Sequence, residues 1–401
     1  MRIAYFVHDL TDPAVARRIR MLQAGGADIG LLGFRRGETL ASIEGVEPVD
    51  LGRTYDSRLI QRALKVVGRR VNLGNGSSVV KGADILLARN LEMLAIAAAA
   101  QRRHAPKATL VYECLDLHRL LLSNSPAGRV LRALERSLMR KARLLIVSSP
   151  AFISRYYAPK QGVGASWDHA ALIVENKVLE LDASQASEIE TFEPPPGPPW
   201  RIGWFGMIRC QSSLDILCRL AARNPGLVEI VIRGRPARVA FRDFDAQVAR
   251  TPGVSFGGAY HPSELGALYR GVHFNWAIDY FEEGANSALL LPNRIYEGGP
   301  YGAVPIGLAR TETGRWLKQR GMGVLFDAPG DELGCFLQHL GSGTYDGLRR
   351  AVQSHPRRSF VADRSDCESL VDALACAARE QNVGARSTTI EVPTAGSINT
   401  V

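Results

Sequence analysis

The sequence predicts two α/β domains in series, each a parallel sheet wrapped by helices. Three observations carry this reading. Short leucine-rich and β-branched runs alternate with longer helical patterns, an acidic then proline-rich stretch interrupts them once ("DASQASEIETFEPPPGPPW"), and the alternation restarts beyond it. At 401 residues the chain is also too long for one ordinary core.

In the first half, "RIAYFVHDL", "ADIGLLGF", "ADILLAR", "ATLVYECL", "RLLIVSS" and "AALIVEN" have the length and composition of buried strands. Helical patterns lie between them at 13–24, 57–72, 91–104 and 127–141. The proline run can continue neither a helix nor an interior strand, so it marks a linker. Beyond it come "RIGWFG", a helix at 212–223, "VEIVIRG", a helix at 241–250, "GVSFGG" and a helix at 262–270. "VHFNWAI", "AVPIGL", "GVLFD" and a last helix at 366–379 complete the series. The expected boundaries are 1–181 for the first domain, 182–199 for the linker, 200–382 for the second domain and 383–401 for a Ser/Thr/Gly-rich disordered tail.

Composition narrows the classes. With 46% apolar and 22% charged residues the chain is globular in composition. No apolar run reaches the roughly 20 residues of a spanning helix, and Asp9 interrupts the start before a signal-peptide core forms. A cytoplasmic protein is expected. The 6 cysteines show no C-x-x-C spacing, and no His/Cys set offers itself, so neither a metal nor a cofactor is expected. A net charge of +9 points to an anionic partner.

Two segments carry phosphate chemistry. In "WRIGWFGMIRCQSSLDILCRL" a strand ends at Gly206, a short loop carries Arg209, and a helix is expected to begin at Ser212 or Ser213, both good N-caps. A helix start beside an arginine suits an anion. The spacing fits neither a Walker A loop nor G-x-G-x-x-G. In "LPNRIYEGGPYGAVPIG", Asn293, Arg294 and Glu297 precede Gly298, Gly299 and Gly302, more glycine than an ordinary amphipathic helix tolerates.

Together these segments resemble the nucleotide-sugar signature of GT-B glycosyltransferases, in particular the group 1, family 4-like set. That signature runs Pro-Asn-Lys/Arg, two residues, Glu, a short helix, Gly, then Pro before a buried strand. Pro292, Asn293, Arg294, Glu297, Gly302 and Pro305 stand in those places. "SSPAFISRYY", "LIVENKVLELD" and the first strand–loop–helix extend the resemblance over most of the chain, with a flavour of succinoglycan-type exopolysaccharide enzymes. It implies a GT-B fold: two Rossmann-like, doubly wound domains facing each other across a cleft. It further implies transfer from a nucleoside diphosphate sugar, read as a UDP-sugar, to a glycan or lipid-linked acceptor. Glu297 would accept hydrogen bonds from the ribose, Arg294 and Arg209 would neutralise the diphosphate, and Gly298 would let the backbone approach it.

Two places depart from the pattern. Leu289 stands where the commoner retaining members carry a second glutamate, and no lysine follows Arg209. Retention and inversion both stay open. An inverting transfer needs a general base, and in "VYECLDLHRL" Asp116 is the first choice, ahead of Glu113 and His118. Asp9 with His8 is the rival pair, on the acceptor side. A structural reading makes either His118 or Glu113 a helix cap or a salt-bridge partner.

Arg58, Arg62, Lys65 and Arg69 fall on one face of the 57–72 helix, and Arg129, Arg132, Arg136, Arg140 and Arg143 repeat the device. Such stripes suit anionic lipid, which would seat the protein on the inner face of the membrane. No RNA-binding signature accompanies them, so no nucleic-acid partner is expected. Two other readings stay open: an epimerase of the same architecture, and a nucleotide-sugar-binding protein without activity.

Overall fold

The structure, a computed structural model, describes residues 1–38, 41–54, 68–69, 72–167, 169–181 and 194–383. The chain folds as two compact units. The first comprises residues 1–175 with the segment from Arg364 onward, and the second comprises Asn176–Asp363.

The first unit holds seven parallel strands: β1 (Arg2–Val7), β2 (Asp28–Arg35), β3 (Pro48–Arg53), β4 (Ile85–Arg89), β5 (Thr109–Cys114), β6 (Ala142–Val147) and β7 (Ala170–Ile173). Their order is β3-β2-β1-β4-β5-β6-β7. The chain reverses direction across the sheet between β1 and β4, where an open α/β sheet forms its binding crevice. β3 escaped the sequence reading because "PVDLGR" carries a proline, an aspartate and a glycine, as an edge strand can. Helices α1 (Pro13–Ala24), α2 (Leu91–His104), α3 (Arg119–Leu122) and α4 (Pro126–Met139) cover or edge the sheet. Asp12 caps α1 by accepting from the Ala14 amide, and Pro13 pre-sets its first turn. The expected helix at 57–72 lies almost wholly outside the described residues.

The second unit begins with β8 (Val178–Leu179) and holds a sheet of β9 (Trp200–Ile208), β10 (Val228–Pro236), β11 (Val254–Phe256), β12 (Phe274–Trp276), β13 (Val304–Leu308) and β14 (Val324–Phe326). The order β11-β10-β9-β12-β13-β14 repeats the pattern of the first unit. Its switch point falls between β9 and β12. Three helices concern the site: α5 (Gln211–Arg223), α6 (Leu265–Arg270) and α7 (Asn293–Gly298). Trp200, Trp204, Trp276 and Trp316 are buried in its core.

The division differs from the expected one at its end. The C-terminal helix, Arg364–Val383, belongs with the first unit, not the second. Cys367, Leu370, Val371, Leu374 and Ala377 are buried, and the helix packs against α1 and the β5–β6 side of the first sheet. Arg364 donates to the Ala24 carbonyl at the end of α1. The chain returns through β15 (Val361–Ala362), which pairs in parallel with β8. The first division accordingly falls after Glu175, not at 181. An apolar helical face announces burial but does not name the sheet it will cover.

Candidate functional site

In the second unit the expected donor residues gather at the carboxyl ends of β9 and β12. Arg294, in the first turn of α7, donates from Nε to the Phe205 carbonyl at 2.8 Å. Its Nη1 reaches both the Trp276 and Ile278 carbonyls at 3.4 Å. The guanidinium thus bridges the two strands at the switch point, where a ligand crevice is expected. Asn293 is exposed at the start of the same helix.

One turn on, Glu297 accepts at Oε2 from the Tyr269 hydroxyl at 2.9 Å. Tyr260 lies in the same field, its phenol pushed up by burial and by Glu297 and drawn down by Arg294 and Arg233. Arg233, near the end of β10, donates to the Gly258 and Ala259 carbonyls and pairs with Glu264 at 3.1 Å.

Gly206 earns its place by backbone geometry. Its φ is 101°, and the paired Gly234 has φ 138°. A Cβ on Gly234 would lie 1.9 Å from the Gly206 carbonyl oxygen. Only two bare residues allow β9 and β10 to meet this way. Toward solvent, a Cβ on Gly206 itself would meet nothing nearer than the Tyr260 hydroxyl at 3.9 Å.

Arg209 is 42% exposed, pairs with Asp279 at 3.4 Å, and lies 4.5 Å above the centroid of the half-exposed Phe281. Helix α5 begins one residue before the expected serines. Cys210 is its N-cap, accepting weakly through sulfur from the Ser213 amide at 3.4 Å. Ser213 instead turns inward and accepts from the Trp276 indole at 3.1 Å.

Gly298 is a correction. It sits at the carboxyl end of α7, not where the helix's free amides lie, so its place is set by packing and not by approach to a phosphate. A Cβ there would stand 2.9 Å from Asn275 Nδ2 and 3.1 Å from the Tyr269 ring. Gly298 lets α7 pack against β12 and α6.

In the first unit the candidate acids separate cleanly. Glu113 is fully buried, with Arg18 Nε at 2.7 Å, Arg89 Nε at 2.8 Å and the Tyr5 hydroxyl at 2.7 Å. Burial alone would raise its acid, but the Arg89 and Arg18 charges outweigh this and hold it at about 2. Glu113 is therefore a structural anion and not a general base, a second correction. It faces inward because β5 is central and covered on both faces. Asp116 and His118, beyond the strand, are both exposed. His118 caps α3 through Nδ1, which accepts from the Leu120 amide at 3.3 Å.

Asp9 is 6% exposed, accepting from the Thr11 amide and hydroxyl and pairing with Arg36 at 3.3 Å. His8 Nδ1 meets Asn90 Nδ2 at 3.2 Å, joining the ends of β1 and β4. Asn90 holds φ at 70°, rare for a non-glycine residue.

The basic stripes fare unequally. Arg58, Arg62 and Lys65 lie outside the described residues. Arg69 is half-buried and donates to the Leu51 carbonyl at 2.9 Å, so it braces β3 rather than offering a free surface cation. On α4, Arg132 folds back onto the Leu121 carbonyl at 2.8 Å; Arg143 is not on that helix but in β6, where it meets His169 at 3.3 Å. Arg129, Arg136 and Arg140 are exposed, beside Val130 at 71% and Leu134 at 42% exposure. Among the described residues, no helix is long and apolar enough to cross a membrane.

Sequence reasoning missed Tyr269, Tyr260, Arg233, Asp279 and Phe281. None belongs to a local pattern: Tyr269 reaches Glu297 across 28 residues.

Two doubly wound units, each with its switch point at the carboxyl ends of its strands, define the class: a GT-B glycosyltransferase. The Anabaena HepE structure in complex with UDP and glucose superposes with a TM-score of 0.62 at 15% identity, covering 94% of this chain and 99% of that one. Sucrose-phosphate synthase from Thermosynechococcus elongatus gives 0.63 at 13% identity, over 94% and 98%. No family model matches the sequence. The chain belongs to the family of the succinoglycan biosynthesis protein ExoL of Rhizobium meliloti (strain 1021), with 47% identity over 381 residues, 94% of this chain and 93% of that protein.

Proposed function

We propose that this protein takes its sugar from a UDP-sugar and passes it to a glycan or lipid-linked acceptor in exopolysaccharide synthesis. The observation that carries the donor reading is Arg294 bridging the β9 and β12 carbonyls at the switch point, with Glu297 one turn further along α7. HepE, with the same fold, is known in complex with UDP and glucose, which supports the choice of nucleotide.

In this reading Glu297 accepts from the ribose diol, and Arg294 and Arg209 face the diphosphate. Negative charge grows on the leaving diphosphate as the glycosidic bond breaks, so fixed cations there lower the barrier. No metal is used, and turnover should survive a chelator. The first unit holds the acceptor. If transfer inverts, Asp116 removes the acceptor proton, since its exposure leaves it able to reach a hydroxyl and Glu113 is not.

The exposed face of α4, with Val130 and Leu134 among Arg129, Arg136 and Arg140, supports a seat on anionic lipid. Sedimentation with anionic vesicles that weakens as salt rises is the expected result. Indifference to such vesicles at low salt would make the stripe solvated surface.

Calorimetric titration with UDP tests the donor site. Glu297→Ala should weaken binding by about 1.5–3 kcal/mol, the scale of hydrogen bonds to a charged group. Glu297→Gln should lose less, because its amide oxygen still accepts. Unchanged affinity in Glu297→Ala would remove the ribose role.

A further inference from the structure

Glu297 does not set its own direction. Tyr269, in α6, donates from its hydroxyl to Oε2 at 2.9 Å. The Tyr269 ring is fully buried, edge-on to Phe205 at 5.0 Å and parallel to Tyr301 at 6.4 Å. These contacts leave the hydroxyl one position to occupy. Burial, with Glu297 beside it, pushes the phenol well above its ordinary range, so it remains a donor.

The helix carrying Glu297 is fixed from the same side. Asn275, in β12, donates from Nδ2 to the Arg294 carbonyl at 2.6 Å. Gly298, the next residue after Glu297, closes against both Asn275 and the Tyr269 ring where any side chain would collide. The glycine, the asparagine and the tyrosine together determine where the carboxylate stands.

We infer that Tyr269 is a positioning residue for donor recognition, holding Glu297 so that its carboxylate meets the two hydroxyls of a ribose. The inference rests on the ribose role proposed for Glu297. A carboxylate offers about four acceptor sites, so a single one can take a tyrosine hydroxyl and a vicinal diol together. Fixing the acceptor before the ligand arrives removes the ordering cost from binding.

The test compares UDP with 2′,3′-dideoxy-UDP, which keeps the base and diphosphate but has no diol. The wild-type chain should prefer UDP by about tenfold or more, the scale of hydrogen bonds to a charged acceptor. Tyr269→Phe keeps the ring contacts and removes the donor. It should reduce that preference at least about threefold and leave dideoxy-UDP affinity unchanged. Equal loss toward both nucleotides, or a preserved preference, overturns the inference.

Gly298→Ala disturbs the same contact from the helix side and should also reduce the preference; a preference intact in that variant counts against the inference. In a Glu297→Ala background, Tyr269→Phe has nothing left to orient and should change UDP affinity by less than about twofold. A full additive loss there would show that the tyrosine acts through the fold. A wild-type chain that binds both nucleotides equally removes the ribose role itself, whereas an intact preference in Tyr269→Phe removes only the tyrosine's part.

Discussion

Arg18 and Glu113 meet at 2.7 Å with side-chain exposures of 3% and 0%, and Arg89 closes on the other carboxylate oxygen at 2.8 Å. The strand that supplies the acid, the strand beside it and helix α1 are thus locked by one buried anion. Glu113→Ala leaves the Arg18 guanidinium buried without its counter-charge and Arg89 with only Asp12 at 3.7 Å, and should cost about 3–5 kcal/mol. Thermal unfolding should show the loss. A variant of normal stability with a selective loss of turnover would restore Glu113 to the catalytic candidates.

The same anion sets an acid limit. The folded-state acid lies at about 2, below the ordinary 4.5, so the folded state binds fewer protons than the unfolded one between these values. Its stabilisation is complete above the ordinary carboxylate range and is lost as pH falls from about 4.5 toward 2. Melting curves over that interval should steepen in the wild type and flatten in Glu113→Gln.

His273 makes a second acid-sensitive point, in the other unit. Its Nδ1 accepts from the Arg201 amide at 2.9 Å, and Nε2 bonds the Pro195 carbonyl at 2.9 Å. The ring is therefore neutral with its proton on Nε2. Burial, aided by the Arg201 and Arg349 charges, lowers it from 6.5 to about 4. Stability from the neutral ring is complete above 6.5 and declines as pH falls toward 4. His273→Gln should flatten the pH dependence of the melting midpoint in that window; an unchanged slope would mean the ring titrates normally.

For Arg209, exposed and paired only loosely with Asp279, replacement by alanine should lower kcat by about tenfold or more while changing donor affinity little. Arg294→Ala should behave differently, because its guanidinium also ties β9 to β12. A lower melting midpoint should accompany its loss of turnover. Equal effects on kcat and affinity in Arg209→Ala would make that residue a ground-state ligand only.

Gly298→Ala should destabilise the second unit by about 1–3 kcal/mol, the range for overpacking a filled interior. Chemical denaturation measures it. A neutral outcome would show that α7 can shift without resistance from Tyr269 and Asn275.

The strand–helix alternation, the proline break and the Pro292–Asn293–Arg294–Glu297 spacing were legible in the sequence because each is a local pattern with a fixed period or a fixed chain distance. That was enough for the class of fold and for naming the residues that gather at the ends of β9 and β12. Tertiary structure decided what depends on which distant residues meet. Glu113 and Asp116 stand three residues apart and both looked able to act as a base. Arg18, 95 residues from Glu113, makes Glu113 a buried structural anion, while Asp116 stays exposed. Likewise the apolar face of the C-terminal helix was visible in the sequence, but its partner was not. It covers the first unit because the chain turns back through β15, and a helix buries its face against whichever sheet the topology presents.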